Sequence, residues 1–295
     1  MYSYLDAQNT PSEEILNNHI GLTVYNMSKE NGFCPGVYVW RGKEWVTLYN
    51  IPFKPDLTVY DTDGNSYIAR WYVHDACSPD GGAYWLTSNL RTTRTSSGGS
   101  FTGGVRLNPA KYAGLTSAVT INNRNDLQGN ATVSYKENNI QMTEKYDVFA
   151  SKFGLLYKWQ QAEVACPPGW RLATNKDWSN LFIAIGAGTS DKGKRLMGNN
   201  WEYQANDRST SFPNGGGFPP SDPRNMGFWA LPTGAVHGNG TAAEKFSEQC
   251  FWWAQTEGGE HIIWYLNWEP AVFGSDNASI FVDYYFPVRC VRNEL

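Results

Sequence analysis

The sequence predicts an α+β fold: two short helices, then long irregular loops, then antiparallel strands. Three observations carry this. Residues 175–185 have the cap, spacing and stop of one amphipathic helix. Residues 251–291 are dense in apolar and aromatic β formers. Between such segments run long Ser-, Thr-, Gly- and Asn-rich stretches that keep neither a helical nor a strand period.

Residues 1 to about 56 read as an N-terminal leader, and 57–295 as the main domain. In the leader, Gly36-Val37-Tyr38-Val39-Trp40 and Glu44-Trp45-Val46-Thr47-Leu48 alternate on either side of Arg41-Gly42-Lys43, a hairpin signal. Pro52 and Pro55 mark the boundary. Leu57–Tyr60 is a strand, Asp61–Asn65 a tight turn, and Ser66–Tyr72 the returning strand. Asp61-Thr62-Asp63-Gly64 begins like a calcium loop. An EF-hand, however, needs a third ligand before its glycine and a Glu at loop position 12, which here is Tyr72. A hairpin turn is the expected role. Residues 92–150 read as an irregular insertion decorated with short strands.

The clearest helix spans 175–185. Thr174 is its N-cap and Asp177 takes the capping-box place. Trp178, Leu181, Phe182 and Ile185 form one apolar face, and Gly186 is the stop. A shorter helix covers Gln160–Ala165, ahead of Cys166-Pro167-Pro168-Gly169. Residues 198–250 are loop-heavy, and 251–291 give three or four strands.

Composition narrows the function. Aromatics make up 15%, charged residues only 18%, and the net charge is -4, so no basic stripe for nucleic acid is present. No uncharged apolar run approaches the ~18 residues that would cross a bilayer. Met1–Asp6 lacks the basic and apolar regions of a signal peptide. Two readings stay open: a cytosolic or phage-encoded protein, or an exported one whose signal lies outside this sequence. The five cysteines, Cys34, Cys77, Cys166, Cys250 and Cys290, contain no Cys-x-x-Cys pair, and an odd number allows two bridges at most. Their spacing sets no connectivity.

Several ordered motifs carry a resemblance. Gly154-Leu155-Leu156-Tyr157-Lys158-Trp159-Gln160-Gln161-Ala162 is followed by Cys166-Pro167-Pro168-Gly169-Trp170-Arg171-Leu172 and Asp177-Trp178. Later come Gly227-Phe228-Trp229-Ala230-Leu231-Pro232, Phe251-Trp252-Trp253-Ala254 and Val288-Arg289-Cys290-Val291. Upstream stand Asp61–Tyr67 and Trp85-Leu86-Thr87-Ser88-Asn89-Leu90-Arg91. Over about 57–292 the chain resembles the Fibrobacter succinogenes major paralogous domain, common in surface proteins of Bacteroidetes. It departs from that pattern at Ala173, at Gln255 and in the length of 92–150.

That family in turn resembles the C-type lectin-like fold, with two helices, a twisted antiparallel sheet and long loops. The resemblance implies a disulfide from the first helix to the last strand, Cys166–Cys290. Cys34–Cys77 is the second expected pair, leaving Cys250 free.

No catalytic constellation is legible. There is no nucleophile elbow and no His-Glu-x-x-His, and His19, His74, His237 and His261 are scattered. The formylglycine-generating oxidases share the lectin-like fold but need a cysteine pair near the C-terminal end, where Cys290 stands alone. Calcium-dependent sugar motifs are fragmentary: Glu269-Pro270 is followed by Ala271, which cannot coordinate. No enzyme, cofactor or metal is therefore expected.

The remaining reading is a binding surface at about 253–287. It would use Trp253, Glu257, Glu260, His261, Trp264, Tyr265, Asn267, Trp268, Glu269, Phe273, Asp276, Asn277, Tyr284 and Tyr285. Tyr, Trp and Asn give rigid contact area with hydrogen bonding, as in adaptable paratopes. Strand alternation expects Ile263 and Leu266 to be partly buried whatever the function. This placement before Val-Arg-Cys-Val also resembles the variable proteins of diversity-generating retroelements in Bacteroides or its phage. The expected partner is a protein or glycan on a host or neighbouring cell, displayed from the cell surface, a pilus tip or a phage tail. A structural pilus subunit contacting pilins is the alternative.

Overall fold

A computed structural model of the chain describes residues 18–27, 34–47, 54–78, 81–108, 118–137, 140–186, 192–198, 225–237, 242–244, 246, 248–267, 273–277, 281 and 283–293. The chain divides into two compact units. One comprises Met1–Lys54 and Asp75–Gly81, the other Pro55–His74 and Gly82–Leu295.

In the first unit, strands β1 (Thr23–Asn26), β2 (Gly36–Trp40) and β3 (Trp45–Thr47) form an antiparallel sheet in that order. The expected hairpin lies between β2 and β3. Arg41 N–H donates to the Glu44 carbonyl at 3.0 Å, and Trp40 faces Trp45 with ring centroids 5.4 Å apart. Cys34 bonds to Cys77, joining the unit's two segments.

The second unit is mixed but sheet-rich, with few helices among its described residues. It contains β4 (Leu57–Tyr60), β5 (Ser66–Val73), β6 (Gly82–Leu86), β7 (Val105–Leu107), β8 (Val119–Ile121), α1 (Arg124–Gln128), β9 (Thr132–Glu137) and β10 (Ile140–Lys145). Then follow α2 (Tyr146–Phe153), α3 (Trp159–Ala165), β11 (Arg171–Leu172), α4 (Asn175–Ala184), α5 (Lys192–Leu196), β12 (Ala235–His237) and β13 (Ala242–Glu244). The chain closes with β14 (Gln249–Gln255), β15 (His261–Asn267), β16 (Phe273–Asn277) and β17 (Cys290–Arg292). A five-stranded sheet has the order β11-β17-β6-β5-β4, a three-stranded sheet the order β14-β15-β16, and β7-β8, β9-β10 and β12-β13 are two-stranded ladders.

Helix α4 forms where its pattern predicts. Thr174 Oγ1 accepts from Asp177 N–H at 3.2 Å, and Asp177 Oδ2 accepts from Thr174 N–H at 2.7 Å, closing the capping box. Arg171 clamps the same carboxylate. Trp178, Leu181 and Ile185 are buried, and Gly186 at φ +89 stops the helix. Helix α3 starts one residue before its expected span. The insertion differs from the short-stranded loop expected at 92–150: it holds α1 and α2 as well as β7–β10. Tyr146, Phe149, Ala150 and Phe153 recur at helical spacing, and Phe149, Ala150 and Phe153 are buried. The polar composition around them masks that stripe.

The C-terminal sheet β14-β15-β16 is covered on both faces. On one, Cys250, Trp252, Ala254, Trp264 and Leu266 join Trp85, Trp178 and Phe228. On the other, Trp253 and Ile263 join Trp159 and Phe286. Cys166 bonds to Cys290, linking the end of α3 to β17, the pair the resemblance implies. Cys250 is a buried free thiol, 3.5 Å from Thr233 Oγ1, and burial pushes its pKa up to about 12.

Candidate functional site

The segment expected to recognise a ligand is built on the β14–β15 hairpin and the edge strand β16. Register sets which side chains share a face. Trp252 lies opposite Trp264, Trp253 opposite Ile263, and Tyr265 is flanked by Phe251 and Gly274. A sheet packed on both faces buries both sets of alternate residues, so little of these strands is left to solvent.

Three expected contact residues are therefore corrected to core. Trp253 is fully buried between Trp159 and Phe286, and its Nε1 donates to the Tyr157 carbonyl at 2.7 Å. Trp264 stacks on Trp178 with ring centroids 5.8 Å apart, and its Nε1 donates to Asn175 Oδ1 at 3.2 Å. Tyr285 is only 3% exposed, under the side chains of Arg106 and Lys158. The legible signal was the unbroken apolar runs 250–254 and 262–266, which mark strands covered on both sides. Ile263 and Leu266, expected to be partly buried, are fully so.

The remaining residues divide by location. Glu257 and Glu260 are exposed in the turn between β14 and β15, where Glu257 accepts from the Lys176 N–H at 3.1 Å. Asp276 is exposed on β16, beside exposed Ser275. Tyr265, Asn267 and His261 are half-buried. The His261 ring lies 5.1 Å from that of Trp159, and among the described residues neither His261 Nε2 nor Asn267 Oδ1 finds a hydrogen-bond partner. Tyr284 is half-buried and stacks on Phe286, with His237 4.5 Å away on another side. These two stand apart from the acidic turn in the strand pairing. Trp268 and Glu269 lie outside the described residues, and for Phe273 and Asn277 only the backbone of β16 is described.

Beneath this sheet, through Trp252 of β14, lies a polar hub absent from the expected contact set. Arg289 is fully buried. It donates to Asn89 Oδ1 at 2.8 Å and to the carbonyls of Leu86, Phe228 and Trp229 at 2.8, 3.0 and 3.0 Å, and its guanidinium lies over the Phe228 ring. No carboxylate is among these partners, and burial lowers its pKa to about 9. Asn89 Oδ1 also accepts from Trp252 Nε1 at 3.0 Å, while Asn89 Nδ2 donates to the Phe153 carbonyl at 3.0 Å. Gly154 sits against Asn89 at φ +82, where an added Cβ would lie 2.5 Å from Asn89 Cβ. The hub thus gathers residues from five of the motifs quoted above. An arginine inside an otherwise apolar terminal strand was its sequence signal.

The Asp61 turn is also structural. Asp61 Oδ1 accepts from the N–H groups of Asp63 and Asn65, and its Oδ2 from Asn65 Nδ2 and Tyr67 Oη at 2.6 Å. Asp63 Oδ2 accepts from Thr93 N–H and Oγ1, and its Oδ1 pairs with Arg94. Protein donors occupy the oxygens a cation would need. Among the described residues no group of three His, Cys, Asp or Glu side chains is placed to hold a metal, and no helix is long and apolar enough to cross a membrane.

The two disulfides point to an oxidising environment outside the cell's reducing interior. No curated protein and no solved structure matches the chain. Residues 80–292 match the family profile of the Fibrobacter succinogenes major domain, which spans most of the chain and every residue of the Arg289 hub, and the chain belongs to that family.

Proposed function

We infer that the chain is a non-enzymatic ligand-binding or adhesion module with a C-type lectin-like fold, displayed at the cell surface or a pilus tip. The observation that carries this is the division of labour around the C-terminal sheet. The family-motif residues Asn89, Trp252 and Arg289 are spent inside, on a hydrogen-bonded hub. What they leave outward is an acidic turn and an edge strand, where Glu257, Glu260 and Asp276 are exposed, beside half-buried Tyr265 of the central strand. A scaffold that is already rigid loses little conformational freedom on binding. It also tolerates replacement at its exposed positions. Retroelement diversification fits those positions, and not Trp253, Trp264 or Tyr285, whose replacement would open the core. A near-copy of the flanking codons, differing at template adenines, is the DNA evidence to seek.

The test is the combined variant Glu257→Ala, Glu260→Ala, Asp276→Ala on glycan and host-protein arrays. Binding is expected to disappear at an unchanged melting temperature. Survival of binding in that folded variant sinks the assignment.

A structural subunit is the second reading. It is favoured by exposed Ile20, Leu22, Tyr25 and Met27 around β1 at the sheet edge of the first unit. Association with a partner pilin and with no array ligand would select it.

A further inference from the structure

The described cations of the second unit mostly have evident partners. Arg70 pairs with Asp56, Arg94 with Asp63 and Arg171 with Asp177. Arg289 donates to four oxygens, using four of its five N–H groups. Arg106 and Lys158 depart from this pattern, and they sit together.

Strand pairing explains why. Arg106 exchanges two backbone hydrogen bonds with Leu156, both 2.9 Å, and Tyr157 pairs with Phe286. Tyr285 in turn pairs with Val236 of β12. The antiparallel register of Tyr157 with Phe286 sets Lys158 opposite Tyr285. Because successive residues point to opposite faces, Arg106, Lys158 and Tyr285 share one face. Arg106 Cζ lies 4.6 Å and Lys158 Nζ 5.4 Å from the Tyr285 ring centroid. Exposed Thr120 lies directly across from Arg106 in the β7–β8 pairing.

Arg106 as a whole is only 7% exposed, and its guanidinium is half used. Its Nη1 donates to the carbonyls of Gly103, Gly104 and Val105 at 2.9, 3.4 and 3.2 Å. Its buried Nε has no acceptor and no hydrogen bond of Nη2 is described, which leaves the Nε–Nη2 edge unpaired, though not exposed, among the described residues. That edge is the geometry that grips a carboxylate or sulfate through two parallel hydrogen bonds. The Tyr285 ring attracts both cations but supplies no lone pair to Nε. Two residues along the chain from Arg106, buried Asn108 Oδ1 also has no partner among the described residues, although its Nδ2 donates to the Thr233 carbonyl at 2.6 Å. An orphaned donor edge beside an ammonium, and an orphaned acceptor further along, suit a ligand carrying both an oxyanion and a hydroxyl.

We propose that Arg106 and Lys158, over Tyr285, form an oxyanion-binding site for an acidic sugar, a carboxylate or a sulfate ester. Arg106 supplies the bidentate edge and Lys158 the second charge. Asn108 accepts from a neighbouring hydroxyl. The site does not depend on the Glu257–Asp276 surface, so either can fail alone.

The test uses the whole chain with glucuronate, glucose 6-sulfate and neutral glucose as probes, by titration calorimetry at low salt. Saturable binding of at least one acidic probe is expected, with none for glucose, and which acid binds identifies the carboxylate or the sulfate as the source. Lys158→Gln should weaken binding about tenfold or more at an unchanged melting temperature. Arg106→Lys, which keeps the charge and loses the fork, should abolish it. If Arg106→Lys fails to fold, Lys158→Gln decides. Absence of saturable binding by either acid, equal binding of glucose, or unchanged affinity in Lys158→Gln overturns the proposal.

Discussion

Replacing Asn89 by Ala tests whether the buried hub holds the fold. The side chain serves three groups at once: Oδ1 accepts from Trp252 Nε1 and Arg289 Nε, and Nδ2 donates to the Phe153 carbonyl. Truncation leaves all three without that partner. Each buried neutral group left unmade costs about 1–3 kcal/mol, and a charged donor lies at or above the upper end. The sum is about 5 kcal/mol, comparable to the whole stability of many domains. The assay is urea unfolding followed by tryptophan fluorescence under non-reducing conditions, with Trp252→Phe completing a double-mutant cycle. In the parent, Trp252→Phe removes a satisfied N–H. In Asn89→Ala it removes an orphan, so its penalty should shrink by about 1–2 kcal/mol. Loss of less than about 1 kcal/mol in Asn89→Ala, or additivity of the two changes, refutes this account of the hub.

Two further outcomes follow from the buried chemistry. Replacing Cys166 and Cys290 by Ser opens a loop of 124 residues and should destabilise the chain by about 5 kcal/mol in the chain-entropy model, read as a fall in the urea midpoint; an unchanged midpoint argues against it. Alkaline pH should also unfold the protein. Burial raises the pKa values of Tyr67, Tyr72, Tyr157 and Cys250, so their neutral forms stabilise the fold below the unfolded values, and that contribution fades as the pH rises past them. Arg289 acts oppositely: its folded value, about 9, is below its unfolded one, so the folded chain sheds that proton first and gains from the rise. Four groups that lose stability on this rise stand against one that gains, so the folded state is expected to weaken between pH 9 and 11. Stability that stays flat from pH 9 to 11 would contradict this.

How much was legible in the sequence depended on whether the signal was local. Thr174, Asp177 and Gly186 wrote the bounds of α4 within a dozen residues, because caps and stops act through their own backbone. The hairpin at 36–47 and the Asp61 turn were legible for the same reason. Helix α2 was not, although its stripe at Tyr146, Phe149, Ala150 and Phe153 was present, because its polar flanks resembled loop. In the expected contact set, exposure follows charge more than aromatic character. Glu257, Glu260 and Asp276 are exposed as expected. Trp253, Trp264 and Tyr285 are not, since residue type alone does not tell a contact aromatic from a core aromatic.

By itself, then, the sequence determined the local elements, the family and the apolar runs from which a core could be built. Only the tertiary structure decided which face of each strand meets water. It also decided that Asn89 and Arg289, 200 residues apart, would share a hydrogen bond, and that Arg106, Lys158 and Tyr285 would meet on one face. The physical reason is that burial and pairing belong to contacts between distant segments. Two sheet faces covered at once hide side chains whose chemistry alone would suit a surface.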